Sequence, residues 1–408
     1  MAKRSIFTIV NNNYIHFAQA LAESIFRNSP GQDFFIILLD DKEEYLNFDP
    51  RIKIIRAEDL RIEDFVHRAF YYDITELATS IKPDVFLHMS DLGYDSVIYF
   101  DPDIYLYENL GDLYSLIEDN NIVVTPHLPA PINTPDGLRP NELDILRTGV
   151  YNLGFIGIHL TDESIRFLRW WASRLKYYSF ESYDSGLYTD QKWINIAATM
   201  FSGLRVLDTP GYNLAYWNLH AHKVTSNKDK HFVDGKKLIF FHFSGFKIDA
   251  EQISKNQNRY SFTDKPELKV IFDGYRSEVL KFYNKKRSLV YKYANFSTGK
   301  SISSFQRSTY FMIYCKKNLT FNPFDCDWHG IIDQAVASED AVKIKIHTTD
   351  SLSRYVKSKL IRSSARLMVR RGMGVNRSFS SVIHNIHLMT NRLNYSNLLS
   401  ILILTGED

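Results

Sequence analysis

VIYFDPDIYLY, residues 97–107, is an apolar run that stops at two aspartates one residue apart, Asp101 and Asp103. Val97, Ile98, Tyr99 and Phe100 read as a strand buried on both faces, and a buried strand has no use for two carboxylates at its mouth. The chain therefore reaches the carboxyl edge of an open α/β sheet at Asp101, where such folds bind ligands. Pro102 stiffens the turn. Two hard oxygen donors on one short loop suit Mg²⁺ or Mn²⁺, which prefer oxygen and keep coordination positions for a substrate's diphosphate. An isolated DxD also fits an ordinary strand-to-loop junction with solvated aspartates, so the rest of the chain decides between the two readings.

Upstream, SIFTIV (5–10) reads as a first strand. It leads through Asn11, Asn12, Asn13 and Tyr14 into an amphipathic helix carrying Phe17, Leu21 and Ile25 that stops near Pro30 and Gly31. FFIILLD (34–40) is an almost continuous apolar run of the kind found in parallel strands. A weaker strand at 52–55 precedes a helical stretch around 65–77, and Lys82 and Pro83 close that segment before the DxD strand. The alternation predicts a doubly wound parallel sheet. No glycine-rich phosphate loop accompanies these strands, so a nucleotide would be gripped by other means.

Downstream, IVVT (122–125) is another strand, and Pro126, Pro129, Pro131, Pro135 and Pro140 stud the connection after it, which reads as a loop over the cleft. GVYNLGFIGIHL (149–160) puts Asn152 just ahead of a strand interrupted by Gly154 and Gly157, where backbone could approach a ligand closely. A helix over 163–177 carries Trp170 and Trp171 as core. YTDQKWIN (188–195) opens another helix at Asp190 and Gln191, with Thr189 or Asp190 able to cap it. LIFFHFSGF (238–246) is an apolar strand from which His242 protrudes; a histidine among phenylalanines is by default a hydrogen-bonded core residue.

The 408 residues, 45% hydrophobic and 24% charged, describe a soluble globular protein with ample core. Cys315 and Cys326 make neither a disulfide framework nor a zinc site, no apolar run is long enough to span a membrane, and the start leads straight into a strand. Cytoplasmic placement is the expectation. Residues 275–293 read as a basic helix, followed by a serine-rich linker at 296–304. Between 351 and 405 lie Arg354, Lys357, Lys359, Arg362, Arg366, Arg370, Arg371, Arg377 and Arg392 with no acidic residue. Leu352, Val356, Leu360 and Leu367 recur there at helical spacing. That combination suits peripheral binding to an anionic membrane surface carrying a lipid-linked acceptor, or a solvated face packed on the remaining chain; a nucleic-acid partner is not expected. The expected division is 1–255 as an α/β catalytic domain, 256–345 as a helical or irregular region, and 346–408 as a basic, partly amphipathic tail.

VIYFDPDI, YNLGFIGI, TDQKW, GYNLAYWNLH and FFHFSGF, in that order, resemble the nucleotide-sugar glycosyltransferases of the GT-A fold. Within that fold they are similar to the retaining enzymes of glycosyltransferase family 8, typified by glycogenin and lipopolysaccharide galactosyltransferases, and to related bacterial polysaccharide glycosyltransferases. The resemblance spans about residues 5–250. It implies a Rossmann-like, mostly parallel sheet with flanking helices, a UDP-sugar donor, a glycan or lipid-linked acceptor, and Mn²⁺ or Mg²⁺ held by Asp101, Asp103 and His242. It places Val10, Asn11, Asn13 and Tyr14 at base and ribose, Lys82 near the phosphates, and Asn152, Asp190 and Gln191 at the donor sugar, with the Gln191 amide oxygen beneath the anomeric carbon. The family's phosphate lysine has only Lys247 to match it here, one residue early, and the usual Pro-Trp is missing. Were the reaction inverting instead, a carboxylate opposite the leaving group would be needed, from Glu181, Asp184 or Asp190. Tyr216 or Trp217 could stack on the acceptor or be core. A catalytically silent carbohydrate-binding module is the alternative from another class, and the full set of motif residues speaks against it.

Overall fold

The computed structural model describes residues 2–43, 47–132, 136–228, 230–284, 289–316 and 319–337. The basic tail expected at 346–408 lies outside the described residues. In chain order the first half holds β1 (Arg4–Val10), α1 (Ile15–Asn28), β2 (Asp33–Leu38), β3 (Ile52–Arg56), α2 (Phe65–Tyr71), α3 (Ile74–Ser80), α4 (Lys82–Asp91), β4 (Ser96–Phe100) and β5 (Ile104–Leu106). There follow α5 (Gly111–Glu118), β6 (Ile122–Pro126), α6 (Glu142–Thr148), β7 (Tyr151–His159) and α7 (Asp162–Tyr178).

A seven-stranded sheet runs in the order Leu204–Val206, β6, β7, β4, β1, β2, β3. Its pairs are parallel except those of β7 with β4 and with β6. The α/β class and mostly parallel sheet expected from the apolar runs are present. β7 departs from the all-parallel reading for a topological reason. The chain leaves β6 at the carboxyl edge, stays there through α6, and enters β7 from that same edge, so β7 must run backwards. Asn152, near the start of β7, thereby arrives beside the end of β4.

Alternate side chains of each strand serve opposite faces. Ile6 and Val10 pack with Ile36, Ile98 and Phe100 under α1 and α5, whereas Phe7 and Ile9 pack with Phe35, Ile37, Val97 and Tyr99 under helices that contribute Phe86 and Trp171. Both layers are covered, which explains runs without a polar period.

Three local readings are corrected. Lys82 and Pro83 open α4 rather than closing a segment, proline falling in the first turn where its missing N–H costs nothing. The helix read at 275–293 is Glu267–Leu280, because the Pro266-Glu267 start lies further upstream and the buried stripe ends at Val279. Asp190 caps nothing: the chain makes a short 3-10 turn at Gln191–Trp193 with no side-chain cap. Packing is continuous across residue 255. Phe243 stacks on Tyr275 with centroids 3.7 Å apart, and Tyr310 and Phe311 of the Ser304–Tyr314 helix join the core of Phe70 and Tyr71.

Candidate active site

β4 delivers Asp101 to the sheet edge, where its N–H donates to Gly154 O at 2.7 Å. The chain turns through Asp103 into β5, which pairs antiparallel with the strand Phe240–His242, setting His242 opposite Ile104. This register fixes the encounter: the Phe243 N–H donates to Asp103 O at 2.8 Å. The imidazole Nε2 of His242 comes to 3.1 Å from Asp103 Oδ1 and 3.7 Å from Asp101 Oδ2. One ligand atom from each of the three residues lies within 4.8 Å of the others. Tyr99 OH donates to Asp101 Oδ1, orienting that carboxylate.

Two carboxylates and one imidazole are a donor set for a hard divalent cation with coordination positions to spare. The backbone is shaped for that grouping. A Cβ on Gly154 would stand 2.2 Å from His242 Cε1 and 2.8 Å from Asp101 Oδ2, so only glycine leaves room for both. Burial disfavours the imidazolium of His242, but Asp103 and Asp101 outweigh it and raise the pKa above the ordinary histidine value.

Lys82, buried at the start of α4, places Nζ 2.8 Å from Asp190 Oδ2 and 3.9 Å from Asp101 Oδ1, and donates to Leu153 O at 2.8 Å. Burial pushes the Asp190 carboxyl up by more than Lys82 pulls it down, an ion pair kept where desolvation offsets its attraction. Thr189, a β-branched residue at φ 44°, precedes Asp190 in the left-handed region. This strain accompanies an aspartate turned inward. Gln191 is held at both ends: Nε2 donates to Thr148 O at 2.9 Å and Oε1 accepts from Leu153 N at 3.4 Å.

These groups open into a cleft of about 1060 Å³ lined also by Asn13, Tyr14, Asn152, Tyr216, Trp217 and Lys247. The structure thus gathers Lys82, Asp101, Asp103, Asn152, Asp190, Gln191, His242 and Lys247 at one place. Val10 and Asn11 are buried at the end of β1 and are not among the lining residues. Asn13 lines the cleft, yet its amide pairs with both Leu289 N–H and C=O, at 3.0 and 2.8 Å. Glu181 lines the cleft and Asp184 does not. Trp217 is buried, its ring set edge to face against His242 and His127.

Sequence reading missed His127, Arg139 and Asn213. His127 and Arg139 sit in the proline-studded connection, whose cleft-side position was legible but not which side chains point inward. Asn213 has φ 52°, a conformation Asn tolerates, and the GYN turn was the available signal.

No family model matches the chain. It is similar to an uncharacterised protein of Bacillus subtilis (strain 168), YfnF, with 26% identity over 282 residues, 64% of this chain and 87% of that protein. Solved structures similar to it include the bifunctional glycosyltransferase WbbM, with a TM-score of 0.34 and 17% identity over 50% of this chain and 39% of the other. The glycosyltransferase GlyE of Streptococcus pneumoniae TIGR4 gives 0.41 and 14% over 72% and 67%.

Gly154→Ala is expected to push His242 away from Asp101 and to abolish Mn²⁺ binding in calorimetry while leaving the far-UV circular dichroism unchanged. Because a ligating imidazole must give up the proton at Nε2, Mn²⁺ binding is expected to release a proton below the raised His242 pKa. Affinity should then weaken as pH falls through the raised His242 pKa and level off above it, measured by titrations in buffers of different ionisation enthalpy.

Proposed function

We propose that the protein is a metal-dependent glycosyltransferase. It moves a sugar from a nucleoside-diphosphate donor, a UDP-sugar, to a glycan or lipid-linked acceptor in bacterial surface polysaccharide synthesis, with retention at the anomeric carbon. The observation that carries this reading is the convergence of Asp101, Asp103 and His242 at the mouth of a cleft that also holds Asp190 and Gln191. When bound there, Mn²⁺ or Mg²⁺ supplies charge neutralisation to a departing diphosphate.

The chain's own residues do the rest. The Gln191 amide oxygen keeps a lone pair beyond its contact with Leu153, and a fixed carbonyl dipole stabilises positive charge at the anomeric carbon without titrating. Lys82 holds Asp190 in place, and its charge lies beside the acidic pair. With Asp190 committed to Lys82, retention has the simpler proton path: the acceptor hydroxyl passes its proton to the leaving phosphate oxygen, and no protein base is required. Lys247 and Tyr14 flank the diphosphate and nucleoside ends of the cleft. The acid-free basic stretch at 351–405 supports peripheral contact with an anionic membrane surface, where a lipid-linked acceptor would be found.

The test is a screen of nucleotide sugars for metal-dependent hydrolysis, with the product anomer followed by NMR. Turnover of at least one UDP-sugar is expected, with the anomer retained, lost on chelation and reduced at least about 100-fold in Asp103→Ala. Metal-independent sugar binding without turnover would point instead to a carbohydrate-binding module.

A further inference from the structure

Every polar atom of the Asn152 side chain faces protein. Its Oδ1 meets Gly154 N at 3.2 Å, Asn213 Nδ2 at 3.0 Å and His242 Nδ1 at 3.2 Å, while its Nδ2 lies 3.2 Å from His127 Nε2. The Gly154 N–H can only donate, so the atom it meets is the amide oxygen, and an amide oxygen can only accept. His242 Nδ1 therefore carries hydrogen. Holding a cation, such a ring would keep that hydrogen and offer the lone pair of Nε2, the atom that faces Asp101 and Asp103. Neutral histidine in water favours the opposite tautomer, with hydrogen on Nε2, so this outcome has to be imposed.

The elements behind Asn152 impose it. Pairing between β6 and β7 slips between Val124 and Thr125, so that Thr125 stands opposite Asn152. Thr125 Oγ1 then holds Asn213 Nδ2 at 2.6 Å, and Asn218 Nδ2 donates to Asn213 O at 3.0 Å. Burial lowers the His127 pKa to about 4, which keeps that ring neutral and able to accept from the Asn152 amide.

We propose that Asn152 is a positioning residue whose amide oxygen, braced by His127, Asn213 and Gly154, fixes His242 as the Nδ1–H tautomer and so aims the Nε2 lone pair at the divalent cation. This differs from the donor-sugar contact that the resemblance implies, and it rests on the cation-site reading above. Outer partners of this kind change metal affinity about 10–100-fold when removed.

The test uses the full chain, labelled with ¹⁵N-histidine, at a Mg²⁺ concentration that saturates the wild-type site. Multiple-bond ¹H–¹⁵N correlation, assigned with His242→Gln, reads the tautomer. The wild-type protein is expected to show a pyridine-type Nε2 and a pyrrole-type Nδ1. Asn152→Leu is expected to lose that preference and to weaken Mn²⁺ binding, followed by electron paramagnetic resonance, about 10–100-fold. Asn152→Asp keeps an acceptor oxygen and is expected to restore the tautomer. Hydrogen on Nε2 in the wild-type chain overturns the proposal whether or not the variants fold, as does an Asn152→Leu protein with unchanged tautomer and affinity. A wild-type chain that shows the Nδ1–H tautomer and binds Mn²⁺ but turns over no nucleotide sugar supports this inference and ends the transferase reading.

Discussion

The pairing of β5 with Phe240–His242 is the constraint on which the site depends. It is short, with only three partnered residues on each side, and joins parts of the chain far apart in sequence. Its register decides the chemistry. A slip of one residue would turn the side chain of residue 242 to the other face of the pair and leave two carboxylates at the sheet edge with no third donor. The packing behind it resists such a slip: Phe241 and Phe243 are buried against Phe272 and Tyr275, and Phe240 against Phe100 and Phe155. The histidine among phenylalanines is thus both a core residue and a site residue, the core on either side of it setting where its ring can go.

Around that pairing lie two charge systems that share Asp101. One faces outward, the acidic pair with His242, and calls for a cation. The other faces inward, Lys82 with Asp190, and is complete within the protein. Lys82 also stands over the Tyr99 ring at 4.1 Å, and Tyr99 donates to Asp101, so the buried cation and the metal-facing carboxylate are mechanically linked through one aromatic side chain. The Asp101 carboxylate is thus oriented by a neighbour other than an ion. Preorganisation of this sort is what electrostatic catalysis requires.

How much of this could be read from residue order depends on distance along the chain. The strands were legible because a sheet covered on both faces demands continuous apolar runs, and Asp101 and Asp103 stood out because they interrupt one. Glycine 154 was legible as a point of close approach, although what approached it was not. The direction of β7 was not legible, since it follows from where the chain travels through α6 rather than from any residue in the strand. Nor was the start of α4, whose sequence lacks a clear apolar stripe and whose one signal, Pro83, reads equally as a terminator. Asp190 as a cap was a local reading of a residue whose partner is Lys82, and no local pattern encodes such a pair. The role of Asn152 depends on His127, Asn213 and His242, three partners from three other segments, which only the folded chain assembles.

The chemistry proposed for the cleft turns on whether Asp101, Asp103 and His242 share one divalent ion against a nucleoside diphosphate. Crystals grown with Mn²⁺ and UDP, measured at a wavelength where manganese scatters anomalously, test it most directly. One anomalous peak is expected within bonding distance of both carboxylates and of His242 Nε2, with diphosphate oxygens completing the coordination. A peak elsewhere, or UDP bound in the cleft with no ion between it and those three side chains, would contradict it.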